Sequence, residues 1–185
     1  MPTANFIKKY IDFGKWIAVH HTAIAHVDGT GTAAFDVLAQ EILVDDKWRS
    51  EMKPTADYFL GWIVPNMGND ETYTDRDGML SVTAGFLILK KHSDREEYAD
   101  VWQDCMVDTF NVSRQIITKM IEKSKAKEPL FNHSIDTINQ LAPKWSPKYR
   151  LGDSMIYSGW LVTFKFDAYL QLLCTPSVED AAAWV

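Results

Sequence analysis

His20, His21 and His26 form the densest group of side chains in this 185-residue chain that could hold a metal ion. Zinc and related ions need several imidazole or thiolate donors converging at about 2 Å. In an extended segment His20 and His26 share a face but lie about 20 Å apart. In a helix neither His20 nor His21 reaches His26 at the i,i+4 spacing. The histidines are therefore expected to be polar residues at a helix end or interface, with no metal bound. Gly29-Thr30-Gly31-Thr32-Ala33-Ala34 fits G-x-G-x-x-A. A dinucleotide site would also need a preceding strand, and an acidic residue about 20 positions on after a second strand. Asp45 and Asp46 come too soon for that, so the segment reads as a glycine-rich turn before a helix. Asp75-Arg76-Asp77-Gly78 resembles the middle of a calcium loop. Aligned on its glycine, however, Tyr73 falls at the first ligand position and Ala84 at the twelfth, where a bidentate glutamate is required. Cys105 and Cys174 stand 69 residues apart in no metal or redox spacing, so a reducing compartment and no disulfide framework are expected. Nucleophile elbows, P-loops, H-E-x-x-H and C-x-x-C pairs are absent. Ser154 and Ser158 have no neighbouring His or acid that sequence alone organises into a triad. No catalysis and no cofactor are expected.

Composition narrows the partners. Asp and Glu number 25 against 19 Lys and Arg, a formal charge of -6, which speaks against nucleic acid as a main partner. Seven Trp, seven Tyr and nine Phe imply a dense core or contact with other protein surfaces. No apolar run follows Lys8 and Lys9, as a leader would require. The longest apolar runs, 79–89 and 157–166, fall short of the roughly 20 residues of a membrane helix. A soluble protein is expected. The length is that of one domain, here 1–185, burying about 70% of its unfolded surface.

The elements that must position these residues follow from periodicity. Phe6, Tyr10, Phe13 and Ile17 give an amphipathic helix over residues 4–19, with Thr3 as N-cap and Gly14 weakening it by roughly 1 kcal/mol. Residues 16–27 suit a helix end or a strand. A second helix is expected over 33–43, with Phe35, Leu38, Ala39 and Ile42 on its apolar face, completing a helical region over 1–54. Alternating Tyr58, Leu60, Trp62 and Val64 predict a strand over 55–64, ended by Pro65. Another is predicted over 80–90, the two joined by the acidic loop 66–78 as a long hairpin with a projecting tip. A long helix is expected from Ser93 to Lys127. Ser93 and Glu96 form a capping box, and acidic and basic residues load its opposite ends. Its apolar stripe is Tyr98, Trp102, Cys105/Met106, Phe110, Ile117 and Met120/Ile121, with Cys105 as a buried thiol. A short strand is expected over 134–141, then a proline-rich passage over 142–148 and a turn over 151–154. The clearest strand is 155–169, with Trp160, Val162, Phe164, Phe166 and Ala168 on one face, opposed to Trp102, Met106 and Phe110. The α+β core spans 55–173, and 174–185 reads as an exposed tail.

Runs of strands separated by one helix indicate an α+β fold: a mostly antiparallel sheet with one long covering helix and a helical N-terminal region. The two strands 55–64 and 80–90, the helix 93–127 and the strand 155–169 carry a resemblance to the tail-completion and tail-terminator proteins of tailed bacteriophages and to related neck-ring subunits. It is one of element order and size, over about the last two-thirds of the chain. It implies a structural subunit of a virion neck or tail, ring-forming between head or connector and tail. Such a subunit is assembled in the bacterial host cytoplasm, has other virion proteins as partners, and needs no membrane. Asp70, Glu71, Tyr73, Asp75, Arg76 and Asp77 in the hairpin loop are then expected to bind a partner, because so polar a segment cannot offset its ordering entropy alone. The rival reading is a small-molecule-binding domain or enzyme with a pocket between the N-terminal helices and the sheet, near His20, His21 and His26.

Overall fold

Tyr10, Phe13 and Ile17 turn one side of α1 (Thr3–His20) onto a β-sheet. In the computed structural model the residues described are 3–27, 34–39, 56–64, 79–93, 97–125, 143–151 and 156–169. Among them run β1 (Phe35–Leu38), β2 (Tyr58–Ile63) and β3 (Met79–His92), then a continuous helix. That helix consists of α2 (Tyr98–Val101), a π turn (Trp102–Met106) and α3 (Val107–Lys125), and is followed by β4 (Lys144–Leu151) and β5 (Ile156–Tyr169). The strands form one mixed sheet in the order β1-β2-β3-β5-β4. Only β1 and β2 pair in parallel; the other three pairings are antiparallel. The fold is α+β.

Four segments differ from the sequence reading. Phe35–Leu38 is a strand, not part of a helix over 33–43, because pairing with Leu60–Ile63 in an already formed sheet outweighs an ambiguous local pattern. Phe35 therefore packs toward the core from a strand edge, and the N-terminal region is not all helical. The proline-rich passage is β4, which tolerates Pro147 because it is an edge strand and that position need not donate to a ladder. The long helix starts later than the Ser93 capping box implies. Strand pairing holds His92 opposite Ile156, and Glu97 occupies the N-cap position without a side-chain cap. Finally, the buried stripe is shifted at its beginning. Val101, Cys105, Met106, Thr109, Val112, Ser113, Ile116, Ile117 and Met120 are buried, while Tyr98 and Trp102 are exposed. The π turn explains this: Val107 N–H bonds to the Trp102 carbonyl, five residues back, and the extra residue rotates everything N-terminal to it about the helix axis. Side chains from α3 and the sheet hold the turn. Thr109 Oγ1 donates to the Cys105 carbonyl (2.5 Å), Trp160 Nε1 to that of Met106 (2.7 Å) and Lys90 Nζ to that of Asp104 (2.9 Å). The segments 66–78, 134–141 and 174–185 lie outside the described residues.

Two apolar clusters lie on opposite faces of the sheet. Beneath the helices are Tyr10, Ile17, Leu60, Trp62, Phe86, Ile88, Val112, Ile116, Met120, Val162 and Phe164. Leu38, Phe59, Ile63, Leu87, Leu89, Leu151, Tyr157 and Leu161 are buried on the other face. Val162 and Phe164 thus take the side expected of them, with Trp160 packed against the same cluster. Gly14 proves to be a packing requirement. A Cβ there would overlap the indole of Trp62, which is itself fully buried and stacked on Phe86. Gly14→Ala gains roughly 1 kcal/mol of helix propensity but incurs an overpacking cost of about 1–3 kcal/mol. The expected result is a lower melting temperature than the parent; a higher one would show that α1 does not rest on Trp62.

Tyr10 is fully buried, with its hydroxyl donating to the Gly85 carbonyl at 3.3 Å. Burial pushes its pKa far above the ordinary 10, with the Gly85 hydrogen bond acting in the opposite sense. Burial also raises Tyr58 and Tyr157. With folded-state values raised, this stability is complete below pH 10 and is lost as the unfolded chain releases protons that the folded chain retains. For the fully buried Tyr10 the expected fall approaches about 1.4 kcal/mol per pH unit above pH 10. Denaturant titrations across that range should show a shallower alkaline decline for Tyr10→Phe.

Candidate functional site

The end of α1 and the middle of α3 enclose a groove of about 210 Å³ lined by Trp16, Ile17, His20, His21, Gln115, Ile116 and Lys119. Helical spacing sets Trp16 and His20 one turn apart: the His20 ring stacks on Trp16 at 4.7 Å and its Nδ1 reaches the Trp16 carbonyl at 2.8 Å. Lys123 Nζ sits 4.9 Å from the centre of the Trp16 ring, a cation–π contact from α3. His21 ties the two helices together, its Nε2 lying 2.9 Å from Gln115 Oε1. Its Nδ1 accepts from Ala23 N–H at 3.3 Å. Those partners require a neutral ring protonated at Nε2. Burial lowers the His21 pKa accordingly, the Gln115 hydrogen bond opposing it. Both nitrogens of His21 are thus engaged, which makes it a poor metal ligand or base. The groove lies between two helices, not between helices and sheet as expected. His26 does not line it; that ring lies 5.8 Å from Phe35. Among the described residues no group of three or more His, Cys, Asp or Glu side chains could hold a metal ion.

Two polar constellations escaped the sequence. His92 Nε2 lies 2.9 Å from Ser158 Oγ, and its Nδ1 lies 2.9 Å from the Ser93 carbonyl. A carbonyl only accepts, so Nδ1 carries the proton and Nε2 accepts from the serine hydroxyl. That is the arrangement of a nucleophile and its base, yet Ser158 is 0% exposed and His92 9%. The pair is buried and joins the ends of β3 and β5. The signal was present: Ser158 alternates with Trp160 and Val162 on the inward face, where a hydroxyl needs a partner. Nearby, Lys90 Nζ meets Asp108 Oδ2 at 2.5 Å, and Tyr58 donates to the same oxygen at 3.3 Å. For Lys90, burial works downward but the Asp108 hydrogen bond carries the pKa above its ordinary value. This cluster fastens the long helix to β2 and β3.

A third feature is an aromatic surface running from exposed to buried. Tyr98 and Trp102 are 59% and 39% exposed. Tyr98 lies 6.0 Å from Trp102 and 4.9 Å from Tyr149; Trp102 meets Trp160 edge-on at 6.2 Å. Phe110 then bridges Trp160 (5.5 Å) and Trp145 (5.7 Å), and Trp145 Nε1 donates to Ser113 Oγ at 2.9 Å. The expected contact of Trp160 with Trp102, Met106 and Phe110 is therefore made, while the Phe166 side chain, like Cys174, lies outside what is described. So do Asp70, Glu71, Tyr73, Asp75, Arg76 and Asp77, the residues expected to bind a partner.

Beyond Ala84 and Phe164, β3 and β5 continue as a pair, Met79–Thr83 against Lys165–Tyr169. Neither β2, which ends opposite Gly85, nor β4, which begins opposite Thr163, accompanies them. Among the described residues this is a two-stranded ribbon extending about 17 Å past its neighbours. No helix among the described residues is long and apolar enough to cross a membrane. The chain matches no protein-family model, no curated protein and no solved structure.

Proposed function

We propose that this chain is a structural subunit of a phage-like virion neck or tail, assembling as a ring between head or connector and tail and carrying out no catalysis. The observation that carries the reading is that, among the described residues, the β3–β5 ribbon outruns the sheet. Two strands alone are marginally stable in water, so a ribbon of this kind gains most when an adjoining subunit flanks it. The exposed Tyr98 and Trp102 support the same reading, because aromatic side chains are characteristic of buried interface centres. Partners are further copies of the chain and other virion proteins, and nucleic acid is not a main one. Negative-stain electron microscopy of the purified chain should give closed annular particles; isolated particles of monomer size at high protein concentration would contradict the reading.

A second reading treats the α1–α3 groove as a small-molecule site with His20, His21, Gln115 and Lys119 as its polar rim. At about 210 Å³ it is smaller than the roughly 300–1,000 Å³ of pockets for drug-sized ligands. This reading requires a saturable rise in melting temperature with a small ligand, without change in oligomeric state.

A further inference from the structure

The chain leaving α1 folds back in a turn that depends on one residue. The His21 carbonyl accepts from Ile24 N–H at 3.1 Å and from Ala25 N–H at 2.8 Å, and His26 N–H returns to the Ala18 carbonyl at 3.0 Å. The His21 side chain adds two bonds: Nδ1 accepts from Ala23 N–H, and Nε2 donates to Gln115 Oε1 on α3. Ala25 sits in the left-handed region at φ 44°, which a residue with a Cβ keeps only while its surroundings hold it there. One imidazole therefore serves two attachments: it closes a strained turn and ties α1 to α3.

Both attachments need the neutral ring. Ala23 N–H points at Nδ1, so a proton placed there sets two donors against each other and the bond is lost. Turning the ring to relieve that contact withdraws Nε2 from Gln115. The groups placed around the ring do not favour the imidazolium. From α1 and the turn come His20, whose Nδ1 reaches the Trp16 carbonyl, and His26. From α3 come Lys119 in the groove, Arg114 next to Gln115 in the chain, and Lys123 over Trp16. Glu122, the one carboxylate from Thr109 to Lys123, is paired with Lys119 at 2.8 Å. Burial acts in the same sense, holding the ring below its ordinary 6.5 against the opposing Gln115 bond. With the folded value depressed, this stability is complete above pH 6.5 and is lost as pH falls through the folded value.

We propose that His21 is a pH-operated latch between α1 and α3. Neutral, it keeps the turn closed and the end of α1 against α3. Protonated, its ring leaves Ala23 and Gln115, the turn at Ala25 relaxes, and the groove opens at the end bounded by His20 and His21. Histidine suits such a device because its charge changes just below neutral pH. The step is proton uptake from solvent at Nδ1, and only hydrogen bonds break. The latch rests on neither the ring reading nor the small-molecule reading.

The test follows the full chain by amide exchange and by NMR titration of the His21 ring. Exchange over residues 21–26, corrected for the pH dependence of the chemical step, should be about tenfold faster near pH 5 than near pH 7.5. The sheet should stay protected, and the rise should track the His21 titration. His21→Gln keeps an amide donor for Gln115 but cannot titrate, so it should abolish the rise. Gln115→Ala removes the α3 attachment at every pH and should speed exchange over residues 16–21 already at neutral pH. Exchange that stays flat while His21 takes up its proton overturns the latch. So does an undiminished acid rise in His21→Gln, or neutral-pH exchange that Gln115→Ala leaves unchanged.

Discussion

Phe164→Ala is expected to lower the free energy of unfolding by about 3–5 kcal/mol. Phe164 is 2% exposed, and its ring lies 6.2 Å from Phe86 within the cluster beneath the helices. Its partner across the ladder is Ala84, whose methyl group is too small to fill the space. Truncation therefore removes the transfer free energy of a benzyl group and leaves a cavity that the rigid sheet closes poorly. Phe164 is also the first residue of β5 past the point where β4 begins, opposite Thr163, so its loss should loosen the ribbon's base. Chemical denaturation measures the first effect, and amide exchange over Met79–Thr83 the second. A variant as stable as the parent would show that this side of β5 does not face the core.

Gly159→Ala should be comparably damaging for an opposite reason. A Cβ at Gly159 would overlap the carbonyl of Ile88 and come within 3.0 Å of Leu89 Cα, both backbone atoms of the adjacent strand. The β3–β5 pairing runs from Met79↔Tyr169 to His92↔Ile156 and is the longest in the sheet, so the ladder must shift to admit a methyl group. The expected cost is about 3 kcal/mol, the upper part of the usual overpacking range. Gly61→Ala is the control: its Cβ would meet the flexible Leu38 side chain first, which can rotate away. Gly159→Ala should melt well below Gly61→Ala; equal melting temperatures would contradict the close approach of β3 and β5.

Long periodic segments were legible in the sequence. The faces of β5 follow from strict alternation of Trp160, Val162 and Phe164, and α1 follows from the four- and three-residue spacing of its aromatics. What could not be read depended on tertiary context. Phe35, Leu38 and Ala39 fit a helix face as well as a strand, and only the edge offered by β2 decides between them. The π turn has no sequence signature; it depends on Lys90 and Trp160, remote residues that cap its carbonyls. For the same reason Trp102 read as a core residue and emerges on the surface. Of the groove, His20 and His21 were anticipated, but Gln115 and Lys119, more than ninety residues away, could be joined to them only by folding.

Native mass spectrometry of the intact chain in volatile buffer tests the central claim most directly. A ring subunit gives one defined multimer larger than a dimer, with mass a fixed multiple of 21.1 kDa, persisting as concentration falls toward its dissociation constant. A spectrum containing only monomer, or monomer and dimer, at concentrations where the protein remains folded would contradict the assignment of this chain to a ring.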